Sequence, residues 1–204
     1  MSSHEVASAT PGALRRAVGI HHAAYRCRDA EQTRWFYEDV LGLPLAMCFV
    51  EEEVPGLRRK IPFMHLFFEL GNQEYVAFFD QPGTARPEQF ENADSFDRHL
   101  AFEVADEATL LGWQKRINAM GVSCLGPLDH GFVKSVYMYD PNGMQVELTT
   151  RTARHDQVMR EEREHSRDVL RRWSERMRAS KEERFGAAAI DLRSRQKPPK
   201  ATTS

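Results

Sequence analysis

The sequence predicts an α+β fold: two tandem βαβββ modules forming a cup-shaped, strongly twisted mixed sheet, followed by a C-terminal helix. Three observations carry this expectation. The stretches Arg98–Val104 and Ser135–Thr150 alternate large apolar residues with polar or small ones, the period-two pattern of strands with one face on a core. The chain repeats itself: His22 precedes Asp29 by seven residues and His99 precedes Asp106 by seven, each Asp opening a helix-like stretch that ends at a glycine, Gly42 or Gly121. Three strand-like stretches then follow each helix.

Residues 1–17 are small, polar and broken by Pro11-Gly12, and they read as a loose arm before the first module, 18–80. A strand runs from Ile20 through Arg28. Asp29 follows as a helix N-cap with Gln32 in the reciprocal position, and Phe36, Tyr37, Val40 and Leu41 form the apolar stripe of the helix. Strands are expected near Leu45–Glu51, Phe63–Leu70 and Glu74–Asp80, with Gly71-Asn72 turning between the last two. Residues 52–61 form a loop or lid in which Arg58-Arg59-Lys60 is a solvated charge run.

Residues 81–97, rich in Pro, Gly, Asp and Asn, link to the second module, 98–150. There Leu100, Phe102 and Val104 share one strand face, with His99, Ala101 and Glu103 on the other. The helix after Asp106 carries Leu110, Trp113, Ile117 and Met120. Asp140-Pro141-Asn142-Gly143 is a hairpin turn, since Pro fixes φ and Asn-Gly accepts positive φ. Residues 151–186 read as a long charged helix with a narrow apolar stripe of Val169, Trp173 and Met177, suited to packing on a partner subunit or on its own sheet. Residues 187–204 read as disordered.

Composition narrows the function classes. The chain has 204 residues with formal net charge −2, which gives no electrostatic case for nucleic acid. The charge is uneven: from Arg151 onward there are 15 Lys+Arg and 9 Asp+Glu, against 13 and 21 before it. Three cysteines without CxxC spacing argue against a disulfide framework and suit a reducing cytoplasm. Cys27 and Cys124 fall on strand-like stretches, as packing residues rather than nucleophiles. No apolar run reaches the roughly 20 residues needed to cross a bilayer, and the first residues lack the apolar core of a signal peptide.

One helix per module covers one face of a short sheet, so the other faces must enclose a cup. Period two puts His22, Ala24 and Arg26 on its lining, with His65 and Phe67, then Tyr75, Ala77 and Phe79. The second module adds His99, Tyr137 and Glu147. Two imidazoles and a carboxylate from three strands, with no fourth protein ligand, leave coordination positions open on a divalent metal.

The runs His21-His22-Ala23-Ala24-Tyr25-Arg26-Cys27-Arg28-Asp29, Arg98-His99-Leu100-Ala101-Phe102-Glu103-Val104 and Tyr139-Asp140-Pro141-Asn142-Gly143-Met144-Gln145-Val146-Glu147-Leu148 resemble the vicinal-oxygen-chelate superfamily. That group holds glyoxalase I, fosfomycin-modifying enzymes, bleomycin-binding proteins and type I extradiol dioxygenases. The resemblance spans residues 19–150 and implies His22, His99 and Glu147 as metal ligands. His22 is preferred to His21 because the superfamily's ligand stands seven residues before the capping Asp, and because alternation turns His21 to the opposite face. The fourth, carboxylate ligand of glyoxalase I falls here on Ala77, which weakens a glyoxalase reading.

Extradiol dioxygenases carry a tyrosine ten residues before the glutamate, which is Tyr137 here, and His130 sits two residues off a histidine that borders their site. No counterpart of their acid-base histidine appears in the linker, where His65 is a steric substitute. The resemblance therefore implies an Fe(II) ring-cleaving dioxygenase acting with O2 on a catechol-like or vicinal-dioxygen substrate, with Tyr137 and His130 as catalytic groups. The alternatives are a Mn(II)-, Zn(II)- or Ni(II)-dependent lyase, isomerase or fosfomycin-type transferase, and a non-catalytic binding protein of the bleomycin-resistance kind. A homodimer is the expected assembly, with the site either within one chain or shared across two.

Overall fold

The computed structural model of the chain describes residues 15–54 and 60–192. The centre of the expected lid, including Arg58 and Arg59, lies outside the described residues, as do most of the N-terminal arm and residues 193–204. The chain divides into two compact units, Met1–Thr152 and Ala153–Ser204.

In the first unit each module is a four-stranded mixed sheet, as the repeat predicts. The first contains β1 (His22–Cys27), β2 (Leu45–Glu51), β3 (Phe63–Glu69) and β4 (Tyr75–Asp80) in the order β1-β4-β3-β2. The second contains β5 (His99–Glu103), β6 (Leu125–Asp129), β7 (Val133–Tyr139) and β8 (Gln145–Arg151) in the matching order β5-β8-β7-β6. In both, the first strand runs parallel to the last and the remaining pairs are antiparallel. The sheets remain open, so β1 and β5 each keep one free edge.

The helices start where their caps require. Asp29 accepts from Gln32 N at 2.8 Å and opens α1 (Ala30–Arg34), and Asp106 accepts from Thr109 N at 2.7 Å and opens α2 (Glu107–Ala119). After Arg34 the first helix widens into a π-helical stretch, Trp35–Val40, from which Phe36, Tyr37 and Val40 are buried. Met120, expected on the buried stripe of the second helix, is instead 39% exposed. It is the C-cap residue, beyond the last full turn that faces the sheet.

One core serves both modules: Phe36, Tyr37, Phe68 and Phe78 belong to the same buried cluster as Phe102, Leu110, Ile117 and Val146. Tyr37 is its pivot. Its ring lies 4.7 Å from Phe78 and stacks on Phe68 at 5.4 Å, and its hydroxyl donates to Asp140 Oδ2 at 3.1 Å, in the hairpin of the other module. Asn142, beside Asp140, donates from Nδ2 to Asp140 Oδ2 and Thr33 Oγ1 and accepts from Arg28 N at 2.8 Å. The turn expected at Asp140–Gly143 is therefore also the joint between modules. At Gly143 (φ +73°) a Cβ would stand 2.1 Å from Glu91 O, so the linker can press against the turn only where there is no side chain.

The second unit holds α3 (His155–Phe185), none of whose residues is buried, and α4 (Ala187–Asp191). Arg171–Glu175 and Arg178–Glu182 ion pairs space along α3 at i,i+4, and Arg176 lies over the Trp173 ring at 4.6 Å. The composition predicts disorder from residue 187 onward. The Ala-rich run instead forms α4, pinned by Arg178 to Asp191 at 2.8 Å. Among the described residues no helix is long and apolar enough to cross a membrane.

Burial raises the Asp140 carboxyl above its ordinary range, while the Tyr37 hydroxyl and the amides of Asn142 and Met144 pull it back. With its folded pKa raised, Asp140 costs stability as pH rises from its unfolded pKa through its folded one. Removing the Tyr37 donor widens that gap. Tyr37→Phe is expected to lose about 1–3 kcal/mol, and to lose more at pH 7 than at pH 4, in urea melts of both proteins at both pH values. An equal loss at the two pH values would contradict this account.

Candidate active site

Register places the candidate residues on the inner sheet faces. In the second sheet Tyr137 pairs with Glu147, which pairs with Ala101, one step from His99. His99 Nε2 touches Glu147 Oε2, and Glu147 is only 6% exposed. His130, at the start of the β6–β7 turn, sets its Nε2 2.7 Å from the Tyr137 hydroxyl, and the His99 and Tyr137 rings lie 6.1 Å apart. Four of the residues singled out from the sequence thus form one cluster. Burial, helped by the charge of Glu147, raises the Tyr137 phenol above its ordinary range, so it stays protonated at neutral pH and can donate.

The fifth is elsewhere. His22 lies on the first sheet, with Phe67 at 5.4 Å and His65 at 6.2 Å between ring centroids. No contact joins it to His99 or Glu147, and among the described residues no three His, Cys, Asp or Glu side chains gather as a metal-holding group. His21 was expected on the opposite face, yet its Nδ1 stands 2.9 Å from His22 Nδ1. The strand begins only at His22, so alternation does not constrain the residue before it.

His65 is buried among aromatic rings, stacked on Phe79 at 3.8 Å. Burial, with His22 nearby, lowers its pKa and keeps the ring neutral. Ala77, at the fourth-ligand position, is fully buried between Ala24 and Phe67 and offers no donor atom. A cleft of about 600 Å³ opens beside β5, between Leu43 and Glu74 of the first module and Ala101, Glu103 and Trp113 of the second. Its walls do not include the His99–Glu147 pair. By sequence Arg26 lies on the lining without a role and Gln81 in the linker. In the structure Arg26 Nη1 donates to Gln81 O at 2.6 Å, a link that continuing the β4 alternation past Phe79 would have suggested.

The donor set fits a divalent metal in part. An imidazole and a carboxylate already meet at His99 and Glu147, the pairing expected of two neighbouring ligands. A third ligand such as His22 has to be brought to them.

Two mixed sheets built from βαβββ repeats, with a histidine and a carboxylate on the inner face, define a glyoxalase-type module pair. The sequence model of the Glyoxalase/Bleomycin resistance protein/Dioxygenase superfamily matches residues 19–148, and the chain belongs to that superfamily. It is 26% identical over 160 residues to lactoylglutathione lyase of Pseudomonas aeruginosa, covering 68% of this chain and 85% of the lyase. It is 40% identical over 52 residues to the Bacillus subtilis (strain 168) protein named "Putative ring-cleaving dioxygenase MhqA", where the match covers 26% of this chain and only 16% of that protein. The solved glyoxylase/bleomycin resistance protein/dioxygenase domain from Frankia sp. EAN1pec superposes with a TM-score of 0.54 at 14% identity, covering 67% of this chain and all of that one, which shows the shared fold.

Burial pushes the Cys27 thiol up to about 12 and Cys124 to about 11, while Cys48 is exposed. A thiol-reactive disulfide reagent at pH 8 is expected to label one cysteine rapidly in the folded protein and all three in guanidinium. Rapid labelling of more than one in the folded state would refute the packing assignment.

Proposed function

We propose that this chain is a metal-dependent enzyme in which His22, His99 and Glu147 hold a divalent cation, and that its reaction is ring cleavage of a catechol-like aromatic or related vicinal-dioxygen substrate with O2. The observation that carries the reading is the His99–Glu147 pair with the His130–Tyr137 pair alongside it. Fe(II) is the preferred ion, and Mn(II), Zn(II) or Ni(II) would serve a lyase, isomerase or transferase reaction at the same ligands. Bound there, the ion supplies open positions for two neighbouring substrate oxygens and, as iron, redox chemistry with O2.

The protein residues have defined tasks. The Tyr137 hydroxyl, kept as a phenol by burial, donates to a substrate oxygen and orients it. His130, 2.7 Å away, accepts or returns the proton that Tyr137 passes on. Phe67 and Phe79 present flat apolar surface to a planar ring, and exclude water from it.

Since among the described residues no third His, Cys, Asp or Glu gathers with His99 and Glu147, the third ligand is proposed to come from β1 of a second copy, in a symmetric homodimer. The lyase reading has one observation in its favour, the match along 85% of lactoylglutathione lyase. Against a four-ligand lyase stands Ala77. A binding protein of the bleomycin-resistance kind is disfavoured because the ligand residues are all present.

Anaerobically purified protein is expected to contain one metal per chain and, loaded with Fe(II), to consume O2 with one of a panel of catechols. His99→Ala should lose both metal and turnover. Tight Mn, Zn or Ni without O2 uptake would move the assignment to the lyase or transferase class, and no metal would move it to a binding protein. Co-expressing His22→Ala with His99→Ala chains tests the shared site separately. One intact site per mixed dimer should bind metal, whereas a site built within one chain would stay empty in every combination.

A further inference from the structure

Two buried nitrogens on the inner side of the first sheet have no hydrogen-bond partner. They are His65 Nε2 and Gln81 Nε2, in side chains that are each 7% exposed, and they are the buried side-chain polar atoms in this condition among the described residues. Buried donors are normally paired, so each such exception calls for an explanation. An amide flip does not relieve Gln81. Its Oε1 already accepts from Thr84 N at 3.0 Å, from Thr84 Oγ1 and from Arg26 Nη1 at 3.1 Å, so that position must be the oxygen.

A cation stands on the same rung. Arg26 pairs with Phe79 across β1 and β4, and Phe79 pairs with His65 across β4 and β3, so Arg26, Phe79 and His65 cross the sheet side by side. The Arg26 guanidinium donates from Nη1 to Gln81 O and Oε1 and from Nη2 to Thr84 Oγ1 at 3.1 Å. All three acceptors are neutral. Among the described residues no carboxylate pairs with Arg26 and its Nε has no acceptor. The Nε–H and one Nη2–H are left over, and this edge of a guanidinium matches the two oxygens of a carboxylate.

Around these donors the surface is aromatic. Phe67 lies 4.2 Å from His65, and Phe49, at the exposed margin, stands edge-on to it at 5.5 Å. A ligand that suits the place has a flat apolar part and an anionic acceptor at one end.

We propose that this end of the first sheet is a subsite for the carboxylate of an aromatic substrate. The carboxylate sits on the free Nε–Nη2 edge of Arg26, Gln81 Nε2 and the Nε2–H tautomer of His65 donate to the same group, and the ring lies against Phe49 and Phe67. The proposal rests on the reading that the inner sheet faces bind substrate, and it narrows the substrate class to aromatic acids. It makes Arg26 a specificity-determining residue.

The test uses full-length protein treated with chelator, so that no metal can hold the carboxylate, titrated calorimetrically with benzoate and with its neutral isostere benzamide. Benzoate is expected to bind at least about tenfold more tightly, the size of one charge-assisted bidentate contact. Arg26→Leu should abolish that preference and Arg26→Lys should keep part of it, as a point charge without the fork. Gln81→Glu preserves the acceptors for Arg26 and Thr84 while placing a carboxylate on Arg26, and covers the case in which Arg26→Leu does not fold; it too should abolish the preference. Equal binding of the two probes, binding of neither, or a preference that survives in folded Arg26→Leu or Gln81→Glu would overturn the subsite and reduce Arg26 to a clamp on the linker. Metal binding at His99 and Glu147 without a benzoate preference would defeat this inference alone. A benzoate preference in a protein that never takes up metal would defeat the enzyme reading alone.

Discussion

The two modules depend on one buried polar joint. Asp140 and Asn142 leave the β7–β8 hairpin and enter the first module, where Tyr37, Thr33 and the Arg28 amide complete their hydrogen bonds. Away from water such a network holds only one arrangement, because any slippage leaves a buried carboxylate or amide unpaired. The apolar core around it sets less: Phe36, Phe68, Leu110 and Ile117 would tolerate small shifts, whereas the Tyr37–Asp140 bond would not. Arg116 adds a second tie, donating from Nη2 to Asp39 O at 2.8 Å at the end of the first helix. Trp113 packs so close to Gly42 (φ +70°) that a Cβ there would lie 3.0 Å from the indole.

With the joint on the helix side of the sheets, the inner faces are left to present chemistry. Period-two alternation on β5, β7 and β8 brings His99, Tyr137 and Glu147 together because parallel and antiparallel neighbours bring side chains on one face into adjacent rows. The first sheet obeys the same geometry with different content. There His22, His65, Phe67 and Phe79 make an aromatic and imidazole surface with Arg26 at its end. One sheet thus carries the carboxylate and the phenol, and the other the rings and the cation, a division of labour that single-module repeats with identical lining would not have.

The second unit is of another kind. A helix of 31 residues without a buried residue gains little from a core and leans on solvent-exposed i,i+4 ion pairs. Val169, Leu170 and Trp173 remain exposed along it. From Ala153 onward there are 14 Lys+Arg against 9 Asp+Glu, and 14 against 21 before it, which concentrates positive charge on this part of the chain.

The sequence by itself determined what is local and periodic. The capping aspartates Asp29 and Asp106, the alternation in 98–104 and 135–150 and the His–x6–Asp repeat specified two βαβββ modules, because caps and pleats act over a few residues. It also specified that His99, Tyr137 and Glu147 share a face, since a strand's period fixes that before any packing occurs. Tertiary structure decided the rest. Asn142 read as a turn former and proved to be a buried link to Thr33 and Arg28, more than a hundred residues away in the chain. His21 escaped the alternation rule because it precedes the strand, and Gln81 entered the inner face because the β4 direction carries on past its last paired residue. Whether an imidazole on one sheet meets a carboxylate on another depends on how two separately specified sheets are set against each other. That is fixed by side chains meeting across long sequence separations, which no local pattern encodes.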